Sequence, residues 1–347
     1  MRVALVCPYD LGIPGGVQDQ VIRLHRWLTD VGHEATIIGT GMDVPEGSML
    51  VGSSISVRAN KSSVPISLDP RAVSRVRSAV GDVDVVHIHE PLMPLVSLAA
   101  TRIGDLPTVG TFHADASTFT RRGLRIGMPL VRGIASRLDV MTAVSAVAAS
   151  VVSGIGEVRI IPNGVDVADY RVEEKEEGSV AFLGRDDPRK GLDILLEAWP
   201  RVVDAVPWAR LTVIGTDRSD SLDGVRFLGR VSEDDKREVL ATSSIYVAPN
   251  TGGESFGIVL VEGMASGCAV VASALPGFVR VLGGSGELVK PGDVDGLADR
   301  LVAVLTDDTR RASLGRAGKE RAEEFDGSVV AEDYLGAYTD AIAIHGR

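Results

Sequence analysis

The stretch GGESFGIVLVEGMASG, residues 252–267, carries two carboxylates eight positions apart, Glu254 and Glu262, in apolar surroundings. A carboxylate taken out of water is costly unless hydrogen-bond donors meet it. Sugar and ribose hydroxyls are such donors, so the pair predicts a ligand rich in hydroxyls. Gly252 and Gly253 place Glu254 in a loop. The run FGIVLVEGMASG reads as a buried helix ended by Gly267, with Glu262 inside it. The backbone N–H groups of Ser255, Phe256, Gly257 and Ile258 would then open a helix and suit an anion. Two structural carboxylates capping neighbouring loops are the plainer alternative.

A second group lies in FLGRDDPRKGLDILLEAW. Arg185, Arg189 and Lys190 cluster between a strand ending at Gly184 and a helix. Three cations there form a clamp for a diphosphate and could neutralise a departing one without a metal. A solvated charged loop is the alternative. In VCPYDLGIPGGVQDQVIRLHRWL, Gly15 and Gly16 precede an amphipathic helix, where bare backbone N–H groups and the helix dipole favour a phosphate. The pattern is neither GxGxxG nor a Walker loop, and an ordinary strand-to-helix turn would also use it. His87, His89 and His113 fall at strand ends in VDVVHIHEP and VGTFHADAS. The spacing puts His87 and His89 on one strand face. No third ligand is spaced to complete a zinc site, and a buried core histidine is the plain reading for each. His113 ends its strand where ligands bind in α/β folds.

Short β-branched runs must position these groups. RVALVC, EATIIG, DVVHIH, LPTVG, LDVMTAV and EVRIIP read as strands, and so do SVAFLG, ARLTVIG, GVRFLG, SIYVAP, CAVVAS and GELVK. Most are apolar on both faces and alternate with helices, which predicts doubly wound parallel α/β sheets. The pattern restarts near residue 179, after IPNGVDVADYRVEEKEEGS, a turn and a solvated charge run. A chain of 347 residues suits two domains. The expected division is residues 1–165, with a final helix 330–347 crossing back, and residues 166–329. Ligands would gather in a cleft between the two.

Composition bounds the partners. Apolar residues make up 45% and charged residues 24%, as in soluble globular proteins. No signal peptide or run long enough for a membrane span is read. Cys7 and Cys268 lie in apolar runs and read as buried thiols of a reducing cytoplasm. The net charge is -11, yet residues 58–137 hold 11 basic and 6 acidic side chains. Arg121, Arg122, Arg125, Arg132 and Arg137 alternate with Phe119, Leu124, Ile126, Met128, Leu130, Val131 and Ile134. Such a basic amphipathic segment suits an anionic membrane surface, and Arg71, Arg75 and Arg77 would add a second stripe. A solvated helix face is the alternative.

These motifs together resemble the retaining glycosyltransferases of family 4. The Glu-x7-Glu of GGESFGIVLVEGMASG, GRDDPRKG as an Arg/Lys clamp, IPNGVD and PGDVDGLADRL follow that family's pattern end to end. The resemblance implies the GT-B fold, two Rossmann-like doubly wound domains facing each other across a cleft. Within the family, VCPYDLGIPGGVQ, VHIHEP and the Glu-x7-Glu stretch are most similar to actinobacterial phosphatidylinositol α-mannosyltransferases. That implies transfer of mannose from GDP-mannose to the inositol of a membrane lipid. By the resemblance, Gly16 meets the donor phosphate, Arg185 and Lys190 hold the diphosphate, Glu262 the ribose and Glu254 the sugar. His113 sits beside the reacting sugar, and Lys236 near the base. Tyr9, in a loop, and Gln18 face the acceptor, with Asn60 and Ser62 in the acceptor loop RANKSSVPISLDP. Two arginines expected in that loop are replaced by Pro65 and Ser67, and the clamp loop is one residue short, with Asp187 where a Glu is usual.

The expectation is therefore a hexosyltransferase attached peripherally to the cytoplasmic face of the plasma membrane. It would need no cofactor or metal, with Mg2+ at most a non-essential addition, and would bind no nucleic acid. Retention would proceed by same-face attack, the leaving phosphate taking the acceptor proton. Asp82/Asp84 and Asp293/Asp295 are DxD-like but read as loop residues. A soluble family-4 enzyme acting on another nucleotide sugar and an acceptor such as inositol phosphate stays open. So does a non-catalytic nucleotide-sugar-binding protein.

Overall fold

In a computed structural model the described residues are 1–41, 44–52, 55–59, 62–66, 71–113, 128–218 and 222–346, with backbone alone for 55–59 and 62–66. The chain divides into two compact units, Met1–Asn163 with Gly327–Arg347, and Gly164–Asp326.

The first unit is built on a sheet of β1 (Arg2–Asp10), β2 (Glu34–Thr40), β3 (Met49–Gly52), β6 (Val85–His89), β7 (Thr108–Phe112), β8 (Val140–Ala143) and β9 (Val158–Ile160). Their order is β3-β2-β1-β6-β7-β8-β9, and every pair is parallel. β6 and β7 are buried at every position, so the polar residues they carry, His87, His89, Thr108 and Thr111, must find hydrogen-bond partners inside the unit. Within the segment read as an acceptor loop, residues 58–59 and 62–66 lie in two antiparallel strands, β4 (Ile55–Ala59) and β5 (Ser62–Ile66). Its alternation is too short and polar to signal strands, and its pairing with β1 at Tyr9–Ile66 is a tertiary contact. Tyr9 accordingly belongs to β1 and not to a loop.

The helix Gly16–Asp30 buries Val21, Leu24, Trp27 and Leu28 against this sheet. The last helix, Gly327–His345, packs on the same core through Val330, Tyr334, Ala337, Tyr338 and Ala341. It begins where Gly327 lies so close to the Trp27 indole that a Cβ has no room.

The second unit has β10 (Glu176–Leu183), β11 (Arg210–Ile214), β12 (Val225–Phe227), β13 (Ser243–Ala248), β14 (Ala269–Ser273) and β15 (Glu287–Val289). The order is β12-β11-β10-β13-β14-β15, again all parallel. Trp199, Leu195 and Val202 of the helix Leu192–Ala205 fill one face, with Leu297, Leu301 and Val304 of the helix Val294–Leu305.

Strand order reverses between β1 and β6 in the first sheet and between β10 and β13 in the second. At such points the loops leaving the carboxyl ends run to opposite sides and open a crevice, where ligands of doubly wound folds bind. The DxD-like aspartates are engaged elsewhere. Asp82 and Asp84 hold Arg2, Asp293 caps the helix Val294–Leu305, and Asp295 pairs with Arg201. Both cysteines are free, buried thiols.

Candidate active site

In the second unit the chain leaves β10 into the loop that holds the cations. Asp187 accepts the backbone N–H of Arg189 at 2.9 Å and caps the tight turn Pro188–Lys190. Arg189 then folds back on the same carboxylate, with Nη2 2.6 Å from Oδ2. The Arg189 side-chain hydrogen bonds hold the Asp187 carboxyl down to about 2. Arg189 is thus engaged locally, unlike the free member of a three-cation clamp. The turn closes at Gly191, whose φ of +74° and contact with the Pro249 carbonyl leave no place for a side chain.

Lys190 instead points at the second loop. Its Nζ lies 2.5 Å from Glu254 Oε1, and Asn250 Nδ2 donates to the same oxygen at 2.9 Å. Arg185 is exposed: its carbonyl accepts from the Asp187 N–H at 2.7 Å, while its guanidinium makes no hydrogen bond or ion pair among the described residues. Arg185 and Lys190 leave the end of β10, while Asn250 and Glu254 leave the end of β13. All four thus stem from the two strands that flank the switch point of this sheet, and Lys190 and Asn250 meet there on Glu254.

Eight residues beyond Glu254, the helix Ile258–Ala265 carries Glu262 into the interior, where its side chain is 5% exposed. Glu262 Oε1 accepts from Tyr170 Oη at 2.9 Å and from Lys236 Nζ at 3.0 Å. Lys236 also reaches Glu233 at 2.6 Å. Burial alone would lower the Lys236 ammonium, and Glu262 with Glu233 outweighs it, so the lysine stays above its ordinary value and charged. The helix starts after Gly257, at φ +106°, where a Cβ would stand 2.6 Å from the Phe278 ring. The Phe256 side chain packs edge-on against Phe325 in the core, with ring centroids 5.6 Å apart. Of Ser255–Ile258, Phe256 can thus offer a ligand only its backbone.

The first unit places a different set on β6, which flanks its switch point, and at the end of the neighbouring β7. His87, His89 and His113 are buried side by side. His87 Nδ1 meets Tyr338 Oη at 2.8 Å and Nε2 meets Thr111 Oγ1 at 2.6 Å. His89 Nδ1 meets His113 Nε2 at 2.9 Å. Burial holds His87 and His113 down to about 3 and His89 well below its usual value, so all three are neutral at pH 7. Glu90 Oε1 accepts the backbone N–H of His113 at 2.8 Å. Tyr9 is largely enclosed, and burial with Glu90 nearby keeps its phenol protonated.

Gly15 precedes the helix Gly16–Asp30, and a Cβ on it would strike Gln18 Oε1 at 2.6 Å, whereas a Cβ on Gly16 would face open space. Gln18 is buried and donates to the Asp10 carbonyl at 3.3 Å, which turns it away from a purely solvent role. Asp19 already occupies the first turn of that helix and balances part of its dipole. Asn60 lies outside the described residues, and Ser62 opens β5.

Sequence reading missed Asn250, Tyr170 and Glu233 around the carboxylates, and Tyr338 and Thr111 around the histidines. Asn250 had a local signal, four residues before Glu254 at the end of SIYVAP. Tyr170 lies 92 residues from Glu262, and Tyr338 lies 251 from His87, so no local pattern joins them.

The basic segment is half corrected. Residues 114–127, with Arg121, Arg122 and Arg125, lie outside the described set. In the helix Met128–Ala135 the apolar Val131 and Ile134 face the core, while Arg132 and Leu130 are exposed. Those two apolar residues are therefore unavailable to a bilayer. No described helix is long and apolar enough to cross a membrane. Among the described residues no group of three or more His, Cys, Asp and Glu side chains could hold a metal ion.

Comparison with known proteins supplies the family. Residues 14–169 match the model described as Glycosyltransferase Family 4, and residues 177–307 that described as Glycosyl transferases group 1. The chain is 37% identical over 362 residues to the phosphatidyl-myo-inositol mannosyltransferase of Mycolicibacterium smegmatis, covering 97% of this chain and 93% of that one. The protein of the same name from Propionibacterium freudenreichii is 36% identical, with 98% and 95% covered. Among solved structures, sucrose-phosphate synthase from Thermosynechococcus elongatus superposes with a TM-score of 0.78 at 19% identity, covering 99% of each chain. Anabaena HepE, solved with UDP and glucose, gives 0.77 at 19% identity, covering 97% of this chain and 99% of that one. The chain therefore belongs to glycosyltransferase family 4, with the GT-B fold, in the group of the phosphatidyl-myo-inositol mannosyltransferases.

Proposed function

We propose that this protein transfers mannose from GDP-mannose to the inositol ring of phosphatidylinositol with retention at the anomeric carbon. The observation that carries the reading is the convergence of Lys190 and Asn250 on Glu254, with Glu262 eight residues on and buried against Lys236. A nucleotide sugar needs cations for its diphosphate and carboxylates for its hydroxyls, and this site supplies the cations from the loop after β10 and the carboxylates from the loop and helix after β13. Arg185 and Lys190 would take the charge that develops on the departing diphosphate, which preorganised cations stabilise best. As Lys190 turns to the diphosphate, Glu254 keeps Asn250 and gains capacity for sugar hydroxyls, a carboxylate having about four lone-pair sites. Glu262, already bonded on Oε1, would receive ribose hydroxyls. The acceptor would meet Tyr9 and Gln18 in the first unit, where His113 would stand between it and the transferred sugar, and no metal is assigned a role.

The lipid reading adds a peripheral position at the cytoplasmic membrane face. Arg71, Arg75 and Arg77 are exposed on the helix Arg71–Val80, and Arg132 and Arg137 are exposed further along. Each basic residue held near an anionic surface contributes about 1 kcal/mol.

The test is incubation with radiolabelled GDP-mannose and phosphatidylinositol vesicles, followed by solvent extraction. Label in the lipid phase as an α-mannoside is expected. A β-linked product overturns retention, and label moving from UDP-glucose but not GDP-mannose overturns the donor. The replaced loop arginines at Pro65 and Ser67 favour one second reading, a soluble acceptor such as inositol phosphate. In that case, when inositol phosphate is supplied, the lipid phase stays unlabelled and a labelled mannosyl inositol phosphate, separable from GDP-mannose by anion-exchange chromatography, appears in the aqueous phase.

A further inference from the structure

The three histidines of the first unit form a row that runs from His87, beside Tyr338 of the last helix, to His113. Tyr338 and Thr111 hold both nitrogens of His87. The His87 ring lies against His89, with centroids 4.1 Å apart at 32°. His89 in turn shares one hydrogen bond with His113, Nδ1 to Nε2, at 2.9 Å. Both main chains are pinned too, since Ser97 Oγ donates to the His89 carbonyl at 2.7 Å and Glu90 accepts from His113 N–H. Among the described residues the two outer nitrogens, His89 Nε2 and His113 Nδ1, are buried without a partner.

A neutral imidazole has one N–H and one bare nitrogen, so the shared bond couples the two rings. If His89 Nδ1 carries the proton, His113 Nε2 accepts it, and His113 Nδ1 must be the N–H. If His113 Nε2 carries it, His113 Nδ1 is bare and His89 Nε2 becomes a buried donor. A ligand hydroxyl can satisfy His113 Nδ1 in either form, and His89 Nε2 is then left over. A buried N–H without a partner is rarer and more costly than a bare acceptor. The first arrangement is therefore the lower in energy.

We propose that His89 is a positioning residue which fixes His113 as its Nδ1–H tautomer, so that His113 donates a hydrogen bond from Nδ1 to a hydroxyl of the transferred sugar. The identity of that hydroxyl's owner rests on the proposed function, whereas the tautomer does not. The row also extends to the last helix: Tyr338 holds His87, and His87 forms the wall against which the His89 ring is set.

The experiment is nitrogen-15 NMR of the full chain, in which couplings to the ring protons distinguish the tautomers. His113 is assigned by comparison with His113→Gln among the 6 histidines. The wild-type protein should show His113 as Nδ1–H, and an Nε2–H signal overturns the proposal. In His89→Phe, which keeps a ring beside His87, His113 should revert to Nε2–H. The kcat for mannosyl transfer should then fall about ten- to a hundredfold, as when the outer partner of a functional histidine is lost. KM for GDP-mannose should change by less than about threefold, since the bond acts on the reacting sugar and not on the nucleotide. His89→Asn places an amide donor where Nδ1 stood and should recover the Nδ1–H tautomer and most of kcat. A folded His89→Phe with wild-type tautomer and kcat overturns the proposal. If that variant does not fold, the wild-type spectrum and His89→Asn decide. Failure of the proposed function alone would appear as a wild-type protein without mannosyl transfer but with the Nδ1–H tautomer intact.

Discussion

The carboxylate site of the second unit lies at the carboxyl ends of β10 and β13, which flank a reversal of strand order, while the histidine row of the first lies on β6, which flanks the other reversal, and at the end of the neighbouring β7. Their electrostatics are opposite. The second unit sets charge against charge: Lys190 on Glu254, Lys236 on Glu262 and Glu233, Arg189 on Asp187. The first sets neutral rings and hydroxyls against one another, with three histidines uncharged among Tyr338, Thr111 and Thr142. The same architecture thus presents one crevice suited to a charged diphosphate and another suited to hydroxyl groups. The difference arises from which side chains the strand ends carry, since the backbone scaffold is shared.

Breaking the buried pair should have the largest effect. Glu262→Ala leaves the Lys236 ammonium buried with only Glu233, and should destabilise the protein by about 3–5 kcal/mol in urea unfolding. Glu262→Gln combined with Lys236→Met removes both charges and should restore most of that loss. An equal loss in the double variant would mean that packing, not charge, holds the site.

Lys190→Ala should lower turnover about 10²–10³-fold, the range for deleting one preorganised group at a developing charge. Lys190→Arg should recover part of it, because the charge returns in another shape. Unchanged turnover in Lys190→Ala would remove the diphosphate role from this loop.

The neutral row makes its own prediction, with pH as the probe. His87 and His113 have folded-state values near 3, below the ordinary 6.5, and burial holds His89 well below it too, so three histidines contribute. Between those values the unfolded chain binds more protons. Stability is therefore complete above pH 6.5 and declines as pH falls toward 3, by about 1.4 kcal/mol per pH unit for each such histidine. Urea midpoints from pH 7 to 5 should show this slope, and His87→Phe should reduce it by about a third. A slope unchanged by that variant would mean that other groups set the acid limit.

The smallest effect separates binding from stability. Arg185 is exposed and without an ion pair among the described residues, so Arg185→Ala should alter stability by no more than about 0.5 kcal/mol while weakening GDP binding measured by calorimetry. A stability loss as large as that of Glu262→Ala would show that the loop is held by Arg185.

Much of the second site is legible in the sequence. Glu254, Glu262 and Lys190 lie in two short segments, each with glycines marking a strand-to-helix turn, and such turns are local in origin. The partners of Glu262 are less legible: nothing in the sequence singles out Tyr170, and Lys236 reads as a neighbour of the nucleotide base rather than of a carboxylate. The first unit is harder to read. The described part of its acceptor segment is paired strand, Tyr9 lies in a strand, and Val131 and Ile134 of the helix Met128–Ala135 turn inward. In each case a contact with a distant strand or core overrides a weak local preference.

By itself the sequence determined the class of fold and the chemistry of the strand ends. Both follow from short-range facts: strands apolar on both faces, glycines that permit tight turns, and the residue types placed just beyond them. Strand order was decided only by the tertiary structure, and with it the meeting of Lys190 with Glu254 and of His87, His89 and His113 with one another and with Tyr338. Residues 24 to 251 positions apart must be brought within hydrogen-bond reach for that. The free energy that does so comes from burying two separate apolar cores, a property of the whole chain that no single motif carries.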